Sequence, residues 1–355
     1  MERLRYTYIT CYMKFCLLLV AFIFVTNYTF ASKPDSLFIS DDIISIELRS
    51  DFTAIQSDRV DNPVYHKGQL IYYTNGGNPT KLSVEVMARG DFRRDTAHCN
   101  FPPLFVNFKK NEVTNTLFEN QGKLKLVTPC HTDDDVLDEY LIYKMYNQVT
   151  DLSFKVRLVS VRYFDTGSNK ELLVRYSFFL EDKGHFSERN GVFEKDVLMT
   201  PFAMNRENYK LMSVFQYMIG NKEWFLTSRH NIVIMQPNDS SLAPYAIPFD
   251  FDFSGFVNAD YTKPKGVPEN LLSTRRIFKG ICYTKDELTE IFEFYRKLKP
   301  VMESLIKNCT QMTRSDRQHD LDYINYFYTV IKNDKMIKSE FLDKCETKRD
   351  YGILD

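Results

Sequence analysis

Residues 220–255 read GNKEWFLTSRHNIVIMQPNDSSLAPYAIPFDFDFSG. Gly220 ends a helix predicted over 208–219 (NYKLMSVFQYMI), as a C′ glycine does. Two apolar strands follow, joined by a polar turn, and the second closes on Asp250 and Asp252. Side chains two apart on a regular strand share a face, so the two carboxylates would point together. Such a pair repels itself, and each pKa rises unless a cation sits between them. Oxygen donors of this kind suit Mg²⁺ or Mn²⁺. Pro248, Phe249, Phe251 and Phe253 make the strand apolar, which argues against a merely solvated acidic edge. Asn231, opening the first strand, can add a neutral carbonyl oxygen to a metal shell. Glu223, just ahead of the single tryptophan, offers a base for a substrate hydroxyl or a third ligand.

Upstream, KLKLVT sets Leu124 and Leu126 on one face and Lys123 and Lys125 on the other. A helix follows, capped by Thr132, with Asp133, Asp134 and Asp135 in its first turn. Val136, Leu137, Tyr140, Leu141, Met145 and Val149 form its apolar stripe. Glu139 lies on this helix, where an ion pair with Lys123 or Lys125 would aim that lysine at a phosphate. Further strands are predicted over 43–56, over KLSVEVMARG with Leu82, Val84 and Val86 on one face, and over PPLFVNFKK. FKVRLVSVRYFDT and LLVRYSFFLED form a hairpin about the turn at 167–169, and the second ends in Glu181 and Asp182, at the edge of a nucleotide pocket. Arg89, Arg93 and Arg94 are further candidates for contacting phosphate.

Residues 184–205 read as loop. Beyond 271 the chain turns helical. Thr284 and Glu287 make a capping box for a helix through about 298, with Leu288, Ile291, Phe292 and Tyr295 as its buried stripe. Pro300 kinks or breaks it, and further helices are predicted over 316–331 and 338–345. The fold class is α+β with mostly antiparallel pairing. An N-terminal β-rich lobe at 32–181 carries one key helix, and a mostly helical lobe at 182–355 carries the acidic hairpin.

Composition bounds the function. The chain has 355 residues and a net charge of -1, so no whole-protein field draws it to nucleic acid or an anionic membrane. With 29 Phe and 22 Tyr, an aromatic-packed, β-rich core is expected. Arg3, Arg5 and Lys14 precede an apolar run at 15–25, and Ala31 and Ser32 follow, the pattern of a cleaved leader over 1–31, with an uncleaved anchor as the alternative. The run is short for a membrane span, so an exported protein with no stable transmembrane segment after cleavage is expected. An oxidising compartment permits disulfides. Cys99 with Cys130, and one pair among Cys282, Cys309 and Cys345, are the expected bridges. The chain has no G-x-S-x-G, H-E-x-x-H, Walker A or G-x-G-x-x-G motif.

The blocks RGDFRR…CNFPPLFVNFKK…TLFENQGKLKLVTPC, EYLIYKMYN, FQYMIGNKEW…HN and PFDFDFSG, within about 82–285, resemble those of a bacterial subgroup of the CotH-like kinases. These are exported proteins with an atypical protein-kinase fold. The resemblance implies ATP held by Lys123 or Lys125 with Glu139, and Mg or Mn held by Asn231 and Asp250 with Asp252 close behind. It implies an acceptor hydroxyl, on a secreted or surface protein, oriented by the acid at Glu223. The related motif reads Asn-x-Asp-Trp, whereas this chain has Asn-Lys-Glu-Trp. The added methylene moves the carboxylate by about 1 Å, which can cost about a hundredfold in rate. In place of a Gly-rich phosphate loop there is only the turn ENQG at 119–122. The alternatives are a catalytically impaired pseudokinase serving as an envelope binding or structural module, and a carboxylate-pair hydrolase using Glu223 with Asp250 or Asp252.

Overall fold

Apolar alternation in the first half of the chain produces strands with one buried face. The computed structural model describes residues 36–73, 77–263 and 275–353. The expected leader at 1–31 lies outside the described residues. Among those residues no helix is long and apolar enough to cross a membrane.

Seven strands close into a barrel: β1 (Ile44–Ser50), β2 (His66–Tyr72), β3 (Thr80–Ala88), β4 (Leu104–Phe108), β5 (Lys123–Val127), β6 (Val156–Asp165) and β7 (Lys170–Leu180), in the order β1-β2-β3-β4-β5-β7-β6. Every neighbouring pair is antiparallel except β1 with β6, which run parallel from Ile44↔Val159 to Ser50↔Asp165. The expected N-terminal antiparallel sheet is therefore corrected to a closed barrel. Closure pairs what would be exposed strand edges. Leu82, Val84 and Val86 point inward as their alternation predicts, against Leu48, Val106, Leu124 and Val161. The strand expected over 43–56 stops at Ser50. Asp51 Oδ1 accepts from Ala54 N at 2.8 Å and caps helix α1 (Phe52–Asp58) in place of more strand.

With Leu124 and Leu126 inside the barrel, Lys123 and Lys125 point out of it. Helix α2 (Asp134–Val149) packs on the outside of β6 and β7 and against α5 (Lys285–Asn308). Eleven of its 16 residues are buried, so it is enclosed on all sides and not merely along a stripe. Its N-cap is Asp133, not Thr132, and makes no side-chain cap bond, its carboxylate lying instead 3.7 Å from Arg175 Nε.

The stretch read as loop holds α3 (Lys183–Asn190) and β8 (Val192–Glu194). Asp182 Oδ1 caps α3 at Gly184 N (2.7 Å), and Gly191 ends it at φ +61, a conformation that suits glycine. β8 joins β9 (Ile232–Pro237) and β10 (Tyr245–Pro248) in a second sheet, order β10-β9-β8, beneath α4 (Arg206–Met218). The capping box at Thr284 and Glu287 starts α5 as predicted. Pro300 does not break that helix, which continues to Asn308 with Met302 and Ile306 buried beyond the proline. Then come α6 (Arg314–Val330), α7 (Asp334–Ile337) and a π-helical turn at Lys338–Leu342. The molecule is thus mixed α+β. Disulfides join Cys99 to Cys130 and Cys282 to Cys345, and Cys309 is free and buried.

Where α2 meets α6, Asp138 and Asp320 are buried face to face. Burial and the neighbouring carboxylate hold Asp138 well above the usual carboxylate range, and burial pushes Asp320 up to about 7. Shifts in this direction favour one proton held between the two carboxylates. A carboxyl whose folded pKa is raised binds its proton more tightly folded than unfolded. Its contribution to stability is therefore full below about 4 and is lost as pH rises through about 7. Asp320→Asn keeps a hydrogen-bonding partner and removes one charge. Its melting temperature should fall less steeply than wild type between pH 4 and 8, with the variant the more stable at pH 8. An unchanged pH slope would rule out the shared proton.

Candidate functional site

Strand register builds the first wall of a cleft. Phe105 pairs with Lys125, and Lys125 with Leu180, so a ring, an amine and an aliphatic side chain stand in a row across the outer face of the barrel. Lys123 lies beside them, its Nζ 4.8 Å from the Phe105 ring centre. Opposite stands Phe249, with Lys125 Nζ 5.1 Å from its ring centre. Phe154 and Lys183 complete a cavity of about 270 Å³. Burial, and next the adjoining Arg89, push the Lys125 amine down to about 8.

Glu181 also lines this cavity, but both its oxygens are committed. Arg189 donates to Oε1 from Nε (2.7 Å) and to Oε2 from Nη2 (2.9 Å), and Lys155 N donates to Oε2 (2.9 Å). It fastens β7 to α3. Lys183 is likewise tied to Glu194 at 2.6 Å.

The residue after Phe249 begins an acidic turn. Asp250 and Asp252 do not lie on a strand as expected, because β10 stops at Pro248 and Asp250 takes φ +63. The left-handed turn nevertheless brings the two side chains into hydrogen-bond contact. Helix α2 anchors it: Asp250 N donates to Tyr143 Oη (2.9 Å) and Phe251 N to Glu139 Oε1 (3.3 Å). Tyr261 Oη donates to Asp252 Oδ2 (3.0 Å). Burial and Asp250 raise Asp252 to about 7, and burial, Asp252 and Asp250 hold Glu139 well above the usual range. Arg93 is the counter-cation, its Nη2 also bonded to Thr128 O. The expected ion pair between Glu139 and Lys123 or Lys125 is not formed: no such contact falls within 4.0 Å, because the turn's backbone claims this carboxyl.

Asn231, at φ +53, links the acidic turn to the loop of Glu223. Its carbonyl accepts from Phe249 N (3.1 Å), and its Nδ2 donates to Glu223 O (2.8 Å). Its Oδ1 accepts from no described residue. The Glu223 carboxylate is exposed, 3.3 Å from His230 Nε2, and Glu223 N donates to Asn221 Oδ1 (2.9 Å). Lys279 Nζ grips the loop on both sides of Glu223, through Lys222 O (3.1 Å) and Trp224 O (2.6 Å), while resting 3.5 Å over Phe225. Among the described residues no group of three or more His, Cys, Asp or Glu could hold a metal ion. The available donors are the oxygens of Asp250, Asp252 and Asn231.

The cluster thus gathers Lys125, Glu139, Asp250 and Asp252, and Asn231 connects it to Glu223. Tyr143, Tyr261, Lys183 and Lys279 were not foreseen. Tyr143 carried a signal, since it follows Glu139 by four residues and shares its helix face. The other three reach the site only through tertiary packing.

A charged donor contributes about 1.5–3 kcal/mol per hydrogen bond. Lys279→Met should therefore raise amide hydrogen exchange at Glu223 and Phe225 at least about tenfold while α4 stays protected, and equal rates would mean the loop holds itself. No protein-family model matches this chain, and no curated protein matches it.

Proposed function

We propose that the protein binds Mg²⁺- or Mn²⁺-ATP and transfers phosphate to Ser/Thr hydroxyls of a secreted or surface protein. The supporting observation is the pairing of a lysine cleft with an acidic turn: Lys125 leans on Phe249, and Asp250 is the next residue. Phe105, Phe154 and Leu180 offer an apolar wall for a base, and Lys123 and Lys125 offer charge for phosphates. The cavity of about 270 Å³ is close to the lower bound of about 300 Å³ usual for small-molecule sites.

Oxygen donors of these types suit a divalent ion. Two facing carboxylates leave a buried negative charge to be balanced, and the free Oδ1 of Asn231 adds a neutral oxygen. Magnesium commonly takes one or two carboxylates and fills its remaining positions with water and substrate phosphates. When bound, such an ion would spread the charge on the transferring phosphoryl group. Glu223 receives the proton of the acceptor hydroxyl as that oxygen bonds to the γ-phosphorus and the bond to the β-phosphate oxygen breaks. His230 Nε2 lies 3.3 Å from the Glu223 carboxylate on one side. The disulfides agree with an exported protein.

A nucleotide-binding module without transfer is the second reading. It is favoured by the long side chain at Glu223 and its turn toward His230. Thermal-shift titration with Mg-ATP and Mn-ATP, alongside phosphate incorporation into a Ser/Thr protein substrate, separates the two. Wild type should be stabilised, and Lys125→Ala should weaken binding by about 10- to 100-fold, one charge-assisted contact. The absence of any shift in wild type would sink both readings. A shift without incorporation, with transfer restored by Glu223→Asp, would establish the second.

A further inference from the structure

The two arginines that follow β3 are in different electrostatic situations. Arg93 is partnered, though its Nε too is enclosed without a hydrogen bond: its Nη2 bonds to Thr128 O, and the guanidinium lies 5.4 Å from the Tyr261 ring centre among Glu139, Asp250 and Asp252. Arg89 is not. None of its guanidinium nitrogens donates to a described residue, and its Nε is fully enclosed. Its nearest ring is Phe105, at 5.8 Å.

Arg89 lies beside a second cation, since the Phe105 ring it approaches pairs in register with Lys125, and it helps to push that amine down. Neither forms an ion pair within 4.0 Å with any described acid. Two half-buried cations side by side repel in a medium less polar than water. A protein keeps such a pair where an anion arrives between them, and a guanidinium presents planar, paired donors suited to phosphate.

We propose that Arg89 and Lys125 form a clamp for the terminal phosphates of a polyphosphate ligand, with Arg89 on the outermost phosphate; the clamp rests on the nucleotide reading of the cleft only for the rest of the ligand. The order follows from position. Lys123 and Lys125 line the cavity over Phe105 and Phe249, and Arg89 does not line it; Arg89 shares Asp250 and Glu139 with Lys125 and adds Tyr143. It therefore stands on the side of the acidic turn, where the transferred group would lie.

The test is isothermal titration of the full chain with ATP, AMP and inorganic tripolyphosphate, in wild type, Arg89→Gln and Arg89→Lys. Arg89→Gln should weaken ATP and tripolyphosphate by about 10- to 100-fold and leave AMP unchanged, and Arg89→Lys should recover part of the loss. Without ligand, Arg89→Gln breaks no hydrogen bond and removes both the attraction of Asp250 and Glu139 and the repulsion of Lys125, so it should still melt cooperatively. Wild-type affinity for ATP and tripolyphosphate in Arg89→Gln overturns the clamp and leaves the nucleotide reading intact. Equal loss of AMP, or loss of the cooperative melt, assigns Arg89 to the architecture and also overturns the clamp. Tripolyphosphate binding that depends on Arg89, with no AMP or ATP binding, upholds the clamp and removes the nucleotide. Binding of none of the three removes both.

Discussion

Two backbone N–H groups of the acidic turn, those of Asp250 and Phe251, are held by two side chains one turn apart on helix α2. The site depends on this attachment. It forces Asp250 into a left-handed conformation that a non-glycine residue adopts only when its surroundings demand it. It also brings three carboxyl groups together in an enclosed space. Burying such charges is unfavourable unless partners or protons compensate. Arg93 supplies one compensation and Tyr261 another, and elevated proton affinity at Glu139 and Asp252 supplies the rest. Because α2 is buried on all sides, the anchor is rigid. The barrel on one side and α5 on the other leave it no room to shift.

The same helix carries two buried acids in succession, Asp138 facing α6 and Glu139 facing the turn. Adjacent residues on a helix point about 100° apart, so one helix delivers a carboxyl to each of two interfaces. The dense burial of α2 thus has an electrostatic cost on both of its polar faces. Its many apolar and aromatic contacts, among them Tyr143 against Phe251 at 4.8 Å and Tyr146 against Phe215 at 4.6 Å, work against that cost.

Much of the framework was legible in the sequence because its signals are local. Alternation in KLSVEVMARG and KLKLVT correctly placed Leu82, Val84 and Val86 inside and Lys123 with Lys125 on the opposite face from Leu124. The Thr284 and Glu287 pattern began α5, and the β6–β7 hairpin and the Cys99–Cys130 bridge formed as expected. What was missed depends on distant partners. The parallel match of β1 with β6 has no short-range signature, and the apolar setting of PFDFDFSG suggests strand until Tyr143 and Glu139 are there to bend it. Glu181 resembled a pocket acid, yet Arg189, eight residues on, occupies it completely. Arg89 and Arg93 looked alike as sequence, and only packing gives Arg93 a hydrogen bond, to Thr128 O, that Arg89 lacks.

The parallel β1–β6 closure also constrains how the molecule can be assembled. β1 pairs early with β2, a close neighbour along the chain, but its other edge stays open until the segment ending at Asp165 has been made and delivered. Pairings of such wide sequence separation are slow to form, since the loop must be closed before the contact repays it. A chain shortened ahead of Asp165 would hold a barrel with a missing stave, its aliphatic interior open to water and its first strand ready to recruit a foreign edge. Completion of β6 is therefore the step that converts the N-terminal half from a sticky intermediate into a sealed structural element.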